Sequence, residues 1–543
     1  MSPATHTVTF LPSGKSVQVA HGTTVWQAAR QLGLLLDTPC NGAGTCAKCR
    51  VHIRSGRTDP SSSIHRLTAD ELSRGWRMAC VTAVTDTLEA EIPNPADTRL
   101  HAILMDGDPV ELLCDHHPHG RLGVAFDLGT TTAAGALFEL GTGKALAVSA
   151  DMNRQVQMGD DVISRIAAVR ENPQALRRLQ SLALETLNAL TSTLCANSGR
   201  NPRDIHRVTV AGNTTMQQVL LGIDPSPLGE KPFAPAFTDA QTVSAARLGL
   251  DAHPDAELTV FPQIGGFVGG DTVAGLLAAR MDTLDKPTLL VDIGTNGEVA
   301  LLHNGQIFAA STAAGPAFEG ARIRQGMRAA VGAIDQIWLQ NGTLRYHVMG
   351  NVVPRGLCGS ALIDAAATLL QLGLLTPAGV LEVPAEPPKA LTAQLIQRLT
   401  ETEHGTSFGL ALDRNMAHLV SLTQQDVREL QLASGALRAG IDTLLRKAGI
   451  TAAGLDSIQL AGGFGNYIRH ENAMRIGLLP HVPHNKIRFI GNASLTGAKR
   501  ALLSQAELRR AQALQQKAIH IELASEPGFS DCFMDAMMLG EKP

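Results

Sequence analysis

At 543 residues the chain is too long for one hydrophobic core, and about three structural units are expected. Its 46 Lys plus Arg against 50 Asp plus Glu argue against a nucleic-acid or membrane-surface partner recognised by bulk charge. With 52 Gly, only 3% aromatics, no apolar run long enough to span a bilayer and no charged-then-apolar leader at the start, a turn-rich α/β protein of the cytoplasm is expected, in which the eight cysteines stay out of disulfides.

Residues 7–11 and 16–20 alternate apolar and polar around Ser13-Gly14-Lys15, a hairpin pattern. Residues 24–32 read as a helix and residues 49–53 as a further strand. Between them lies a cysteine cluster, Cys40-x5-Cys46-x2-Cys49, with a distant fourth, Cys80. Zinc sites usually pair cysteines two and two. Three in one loop with a remote fourth suits a 2Fe–2S cluster wrapped by its loop, although the spacing alone leaves zinc open. The small, glycine-rich stretch at 41–45 lets backbone N–H groups point at cluster sulfides. On these motifs residues 5–93 resemble a β-grasp ferredoxin of the adrenodoxin-like spacing. The resemblance implies that Cys40, Cys46, Cys49 and Cys80 ligate a 2Fe–2S cluster, and residues 1–93 are assigned to this domain. Cys114, Cys195, Cys358 and Cys532 share no ligand spacing and read as structural.

Residues 94–120 carry the Pro and turn signals of a linker, and the His116, His117, His119 tract within it reads as solvated rather than metal-binding. A tether of about 25 residues lets the first domain swing by a few tens of Å.

Beyond it, Gly123-Val-Ala-Phe-Asp-Leu-Gly-Thr-Thr-Thr132 and Leu289-Leu-Val-Asp-Ile-Gly-Thr-Asn-Gly-Glu298 each read as an apolar strand that delivers an Asp and then a Gly-Thr turn. Such a turn brings backbone N–H groups and a hydroxyl close to a phosphate. A magnesium triphosphate asks for carboxylates, supplied by Asp127 and Asp292, and for donors, supplied by Gly129, Thr130, Thr131, Gly294, Thr295 and Asn296. No Walker loop occurs.

Several intermediate segments leave two readings open. Residues 159–168 start a helix capped by Asp160 or Asp161, and a second helix starts at Asn172-Pro173. The polar turn at 211–216 reaches a phosphate or merely caps a helix; Asp271 is a cap or a third carboxylate. Gly315-Pro316 precedes an expected helix whose N-terminus faces nucleotide, with Glu319 placed to orient water or to serve the helix dipole. Residues 356–364 read as a helix packing its small face at a lobe interface, and 377–389 as a Pro-rich surface loop. Finally, Ile458-Gln-Leu-Ala-Gly-Gly-Phe-Gly-Asn466 runs a strand into bare backbone at Gly462, Gly463 and Phe464, suited to a flat base or ribose.

From about Arg121 onward the order and type of these motifs resemble the ASKHA superfamily of acetate and sugar kinases, Hsp70 and actin. The resemblance implies a duplicated, two-lobed RNase H-like ATPase, lobe I at 121–286 and lobe II at 287–543, with ATP and Mg²⁺ in the cleft. Ferredoxin followed by ASKHA domain, together with Ala211-Gly-Asn-Thr-Thr-Met216 and Gly315-Pro-Ala-Phe-Glu-Gly320, resembles the reductive activators of corrinoid proteins. That implies ATP-dependent reduction of Co(II) corrinoid on a methyltransferase-system protein to Co(I), with an external low-potential electron donor. Some members of that family carry an extra domain where this chain has only the linker. Symmetric dimers are common in the superfamily, so a homodimer is a further expectation. The alternatives are an activator of another low-potential enzyme, such as a 2-hydroxyacyl-CoA dehydratase, and a small-molecule kinase with a regulatory ferredoxin.

Overall fold

A computed structural model describes residues 5–32, 34, 36, 49–59, 63, 67, 69–92, 114–402, 405–412, 417–462 and 468–542. The expected hairpin forms: Thr5–Leu11 and Lys15–Ala20 pair antiparallel, with Val8 opposite Val17. Thr5–Leu11 also pairs in parallel with Leu88–Glu91, which is followed across the sheet by Arg50–Ser55 and Trp76–Met78. Alternation turns Val8, Phe10, Val51, Leu88 and Ala90 inward against Val25, Ala28 and Ala29 of the helix Val25–Gln31. That helix starts on a Thr24–Gln27 capping box, as a Thr three residues ahead of Gln favours.

The rest of the chain builds two six-stranded sheets of the same design. In the first, Leu122–Leu128 pairs antiparallel with Thr132–Glu139, which pairs with Ala145–Met152. On its other side Leu122–Leu128 runs parallel to Ile205–Gly212, and that strand runs parallel to Glu257–Val260. In the second, Thr288–Ile293, Gly297–His303 and Gln306–Thr312 repeat the antiparallel meander. Ser457–Ala461 and Ile487–Phe489 then repeat the parallel pair. The central strands read as unbroken apolar runs because helices cover both faces. The long helices Gln174–Ser198 and Gln424–Ala448 cover the outer faces. Both end on a left-handed glycine, Gly199 and Gly449. Asn172 accepts from the Gln174 amide at 3.0 Å, and Asp161 caps Val162–Glu171, as expected for both starts.

Between the sheets runs a shared core. It contains Ala125, Ala134 and Ala136 from the first sheet and Leu290, Ala300 and Ile307 from the second, filled by the helices Gly270–Ala278 and Ala493–Leu503. These two helices touch so closely that a Cβ on Gly497 would lie 2.1 Å from the Ala274 carbonyl oxygen. They are the helices at the lobe interface. The helix expected there from residues 356–364 forms as Gly359–Gln371, but its small face packs inside the second lobe, with Gly359 against the Phe318 backbone. Small residues signal a close approach; they do not say which neighbour approaches.

The described end of the linker, residues 114–120, is fastened to the protein. The Asp115 amide donates to the Leu503 carbonyl at 2.9 Å, while its carboxylate accepts from the Gln505 amide at 2.8 Å and faces Arg207 at 3.4 Å. His117 lies 3.3 Å from the same guanidinium, so that part of the tract packs against the first lobe. The 377–389 segment is a mostly exposed loop, as its prolines suggest.

Candidate functional site

Strand pairing carries Asp127 to the end of one central strand and Asp292 to the equivalent end of the other. Steric compulsion holds the glycine of the first turn, and a backbone bond closes the second. A Cβ on Gly129 would meet the Thr132 carbonyl oxygen at 2.5 Å; the Gly294 amide donates to the Asn296 carbonyl at 3.2 Å. The two turns meet: Thr131 Oγ1 lies 3.0 Å from Thr295 Oγ1, and Thr295 Oγ1 donates onward to Glu319. Glu319 arrives on a four-residue 3-10 turn, Pro316–Glu319, in place of the helix expected there. Gly315 opens that turn at φ 75°, a conformation that favours glycine.

Behind the first turn stands a scaffold that the motif alone does not disclose. Asn153 donates to the Gly129 carbonyl at 2.8 Å, and Asn213 donates to Thr130 Oγ1 at 2.9 Å while capping the helix Thr214–Leu220. Of its two readings, the turn at 211–216 therefore takes that of a helix cap, and its Asn213 also braces Thr130. Arg165 is fully buried and donates to the Thr130 carbonyl at 2.6 Å, the Gly159 carbonyl at 2.9 Å and Gln155 at 3.2 Å. Burial pulls its pKa down to about 10, opposed by Asp160 and Asp161, so it stays cationic at neutral pH.

Asp127 is held from the far end of the sequence. Asn492 donates to its Oδ2 at 2.9 Å and Ser494 to its Oδ1 at 2.8 Å, both from the start of Ala493–Leu503. The signal for this was present as an echo: Gly491-Asn-Ala-Ser494 repeats the Gly212-Asn-Thr-Thr215 pattern, a Gly at or just past a strand's end and then an Asn cap. On the other side, Gly462 has φ 97°, and a Cβ there would lie 2.5 Å from the Ile293 carbonyl oxygen and 2.7 Å from Asp292 Oδ1. Its amide donates to the Gly491 carbonyl at 3.1 Å. Gly463, Phe464, Cys40 and Cys46 lie outside the described residues.

Asp271, in the first turn of Gly270–Ala278, is near enough to Asp127 and Asp292 to perturb both or be perturbed by them, and Glu298 joins from the strand beyond the second turn. Asp127, Asp271 and Asp292 are half-buried and Glu298 is buried. Desolvation and then mutual repulsion push Asp271 and Asp292 up to about 7 and Glu298 well above its usual range. Asp127 rises as well, through desolvation, with Asn492 and Ser494 opposing the rise. A divalent cation would reverse this preference by favouring the ionised carboxylates. Among the described residues no three carboxylate, imidazole or thiol groups could enclose a metal by themselves.

The sign of the pH effect follows. A folded-state pKa near 7 against about 4 unfolded means the folded protein binds more protons between those values, so this contribution to stability is complete at low pH and is lost as pH rises to 7. The nucleotide-free protein should therefore gain thermal stability as pH falls from about 7.5 to about 5.5, and less so in Asp292→Asn. Differential scanning fluorimetry of both proteins checks this; equal slopes would detach Asp292 from the effect.

In the first domain Cys49 and Cys80 are buried, and the Cys80 amide donates to Cys49 Sγ at 3.4 Å. Two thiols in one apolar core with a backbone donor on sulfur suit thiolate ligands of an iron–sulfur cluster. Cys195 and Cys358 are buried and Cys114 and Cys532 half-buried.

Comparison with known proteins agrees with this geometry. Residues 8–85 match the 2Fe-2S iron-sulfur cluster binding domain, 122–284 the RACo middle region and 286–543 the C-terminal domain of RACo, its ASKHA domain. The chain is 31% identical to the corrinoid activation enzyme RamQ of Eubacterium limosum, over 97% of this chain and 98% of that protein. It is 26% identical to the Co(II) methylated amine-specific corrinoid protein reductase of Methanosarcina barkeri, over 76% of each chain. The solved structure of a reductive activator for corrinoid, iron-sulfur protein superposes with a TM-score of 0.71 at 29% identity, over 98% of both chains. A 2Fe–2S ferredoxin domain joined to a two-lobed ASKHA domain, similar along its whole length to such activators, means that the chain belongs to the family of reductive activators of corrinoid proteins.

Proposed function

We propose that this protein hydrolyses ATP while returning an inactive Co(II) corrinoid, bound to a methyltransferase-system corrinoid protein, to Co(I). The observation that carries the nucleotide part is the Thr131–Thr295 contact beside Asp127, Asp271 and Asp292, at the meeting of the two lobes. A triphosphate entering there replaces a direct hydroxyl contact by bonds to phosphoryl oxygens, so nucleotide state and lobe position are coupled. The 2Fe–2S cluster, held by Cys40, Cys46, Cys49 and Cys80, supplies one electron at a time from an external low-potential donor.

In this reading Asp127 and Asp292 hold Mg²⁺ through its water shell or polarise the attacking water. Gly129, Thr130 and Thr131 face Gly294, Thr295 and Asn296 across the phosphates, and Gly315 sets the turn that brings Glu319 to Thr295. Gly462, Gly463 and Phe464 take the ribose and base. Coupling to ATP is useful because Co(II)/Co(I) lies below most donors, so a conformational cycle must add driving force. The reaction is expected in the cytoplasm.

The test is anaerobic visible spectroscopy of Co(II) corrinoid proteins mixed with this protein, a strong reductant and Mg-ATP. The Co(I) band should appear only when ATP is present. A reduced cluster beside corrinoid proteins that all remain Co(II) overturns the reading.

A further inference from the structure

Arg165, on the helix Val162–Glu171, is fully buried and still carries its charge at neutral pH, favoured by Asp160 and Asp161. Burying an ion costs far more than burying a neutral donor. A neutral donor is enough to brace this turn, because Asn153 does so at the adjacent carbonyl, donating to Gly129 at 2.8 Å. The two side chains form one cluster: Asn153 Nδ2 and Arg165 Nη1 both donate to Gln155 Oε1, at 3.0 and 3.2 Å. Gln155 is fixed in turn by its own bond to the Leu179 carbonyl at 3.0 Å. What needs a reason is the charge.

A planar trans peptide sets each N–H opposite the carbonyl before it. Since the Gly129 and Thr130 carbonyls accept from the Asn153 and Arg165 cluster, the Thr130 and Thr131 amides point away from that cluster. Among the described residues neither amide has a hydrogen-bond acceptor. Thr131 is also the residue that meets Thr295 across the cleft, at 3.0 Å. The turn is thus gripped from within its own lobe, and two successive amide donors are left for an anion. The Arg165 bond to the Thr130 carbonyl is short, at 2.6 Å, and its donor is ionised, which makes such a bond about twice as strong as a neutral one. Linked hydrogen bonds polarise one another, so a cation on the Thr130 oxygen makes the Thr131 N–H a stronger donor.

We infer that Arg165 is a positioning residue that acts through the Thr130–Thr131 peptide: its cation strengthens the Thr131 amide as a donor to a phosphoryl oxygen of the nucleotide. The inference rests on the nucleotide part of the function proposed above. It makes the charge matter for the phosphates and not for the nucleoside.

The test is binding of adenosine, Mg-ADP and Mg-ATP to the full-length protein, measured anaerobically by isothermal titration, with melting temperatures taken alongside. Arg165→Lys keeps a cation for Thr130 but gives up the planar fork that also holds Gly159 and Gln155. It should melt below wild type and still bind Mg-ADP and Mg-ATP within about threefold of it. Arg165→Gln keeps a donor and removes the charge; it should bind both at least about tenfold more weakly, with adenosine within about twofold of wild type. If Arg165→Gln does not fold, the Lys variant decides alone. A Lys variant whose nucleotide affinity falls along with its melting temperature overturns the inference and leaves Arg165 a brace. So does a Gln variant that binds as wild type does, or one that loses adenosine as strongly as Mg-ATP; the nucleotide reading then stands. A wild type that binds neither Mg-ADP nor Mg-ATP removes the nucleotide reading, and the inference with it.

Discussion

Asp292→Asn is expected to lower ATP turnover by about two to three orders of magnitude while leaving the visible spectrum of the iron–sulfur cluster unchanged. Asn has nearly the volume of Asp, so the close approach of Gly462 and the strand end are preserved. What disappears is the charge that would face Mg²⁺ and its waters. Because burial and the neighbouring Asp127 and Asp271 already disfavour that charge in the empty cleft, the variant should be at least as stable as wild type without nucleotide. Loss of activity with a raised or equal melting temperature separates a chemical role from a folding defect. Normal ATP hydrolysis by this variant would remove Asp292 from the site.

Gly497→Val attacks the same site from the packing side. Its Cβ would sit 2.1 Å from the Ala274 carbonyl oxygen and 2.5 Å from the carbonyl carbon, where Gly270–Ala278 and Ala493–Leu503 cross. Backbone cannot yield as a flexible side chain can, so the helices must part, at a cost of about 3 kcal/mol or more. Parting them draws Asn492 and Ser494 away from Asp127. Urea unfolding should show the lost stability and isothermal titration a weakened Mg-ATP affinity, with Gly497→Ala in between. A variant within about 1 kcal/mol of wild type would mean that the crossing has slack.

The two variants separate what the local chain encodes from what the fold adds. The Asp-x-Gly-Thr turns were legible because their apolar strand, carboxylate and glycine follow in fixed order within a few residues. The ferredoxin hairpin and capped helix were legible for the same reason. The expected helix after Gly315 was not: two left-handed glycines, Gly315 and Gly320, bracket the segment and stop it at one 3-10 turn. Those glycines are visible in the sequence, but their left-handed backbone angles are not.

By itself, then, the sequence determined the parts whose signals are local: the two Asp-x-Gly-Thr turns, the strands that deliver them and the helix caps. Only the tertiary structure decided which distant residues complete them. Asn492 and Ser494 reach Asp127 across more than 360 positions, Arg165 supports Thr130 from a neighbouring helix, and Glu298 enters the carboxyl cluster through strand pairing. The physical reason is that hydrogen bonding and repulsion between carboxyls act over a few Å of space, whatever the separation along the chain, so their partners are fixed only when the sheets and the crossing helices are packed.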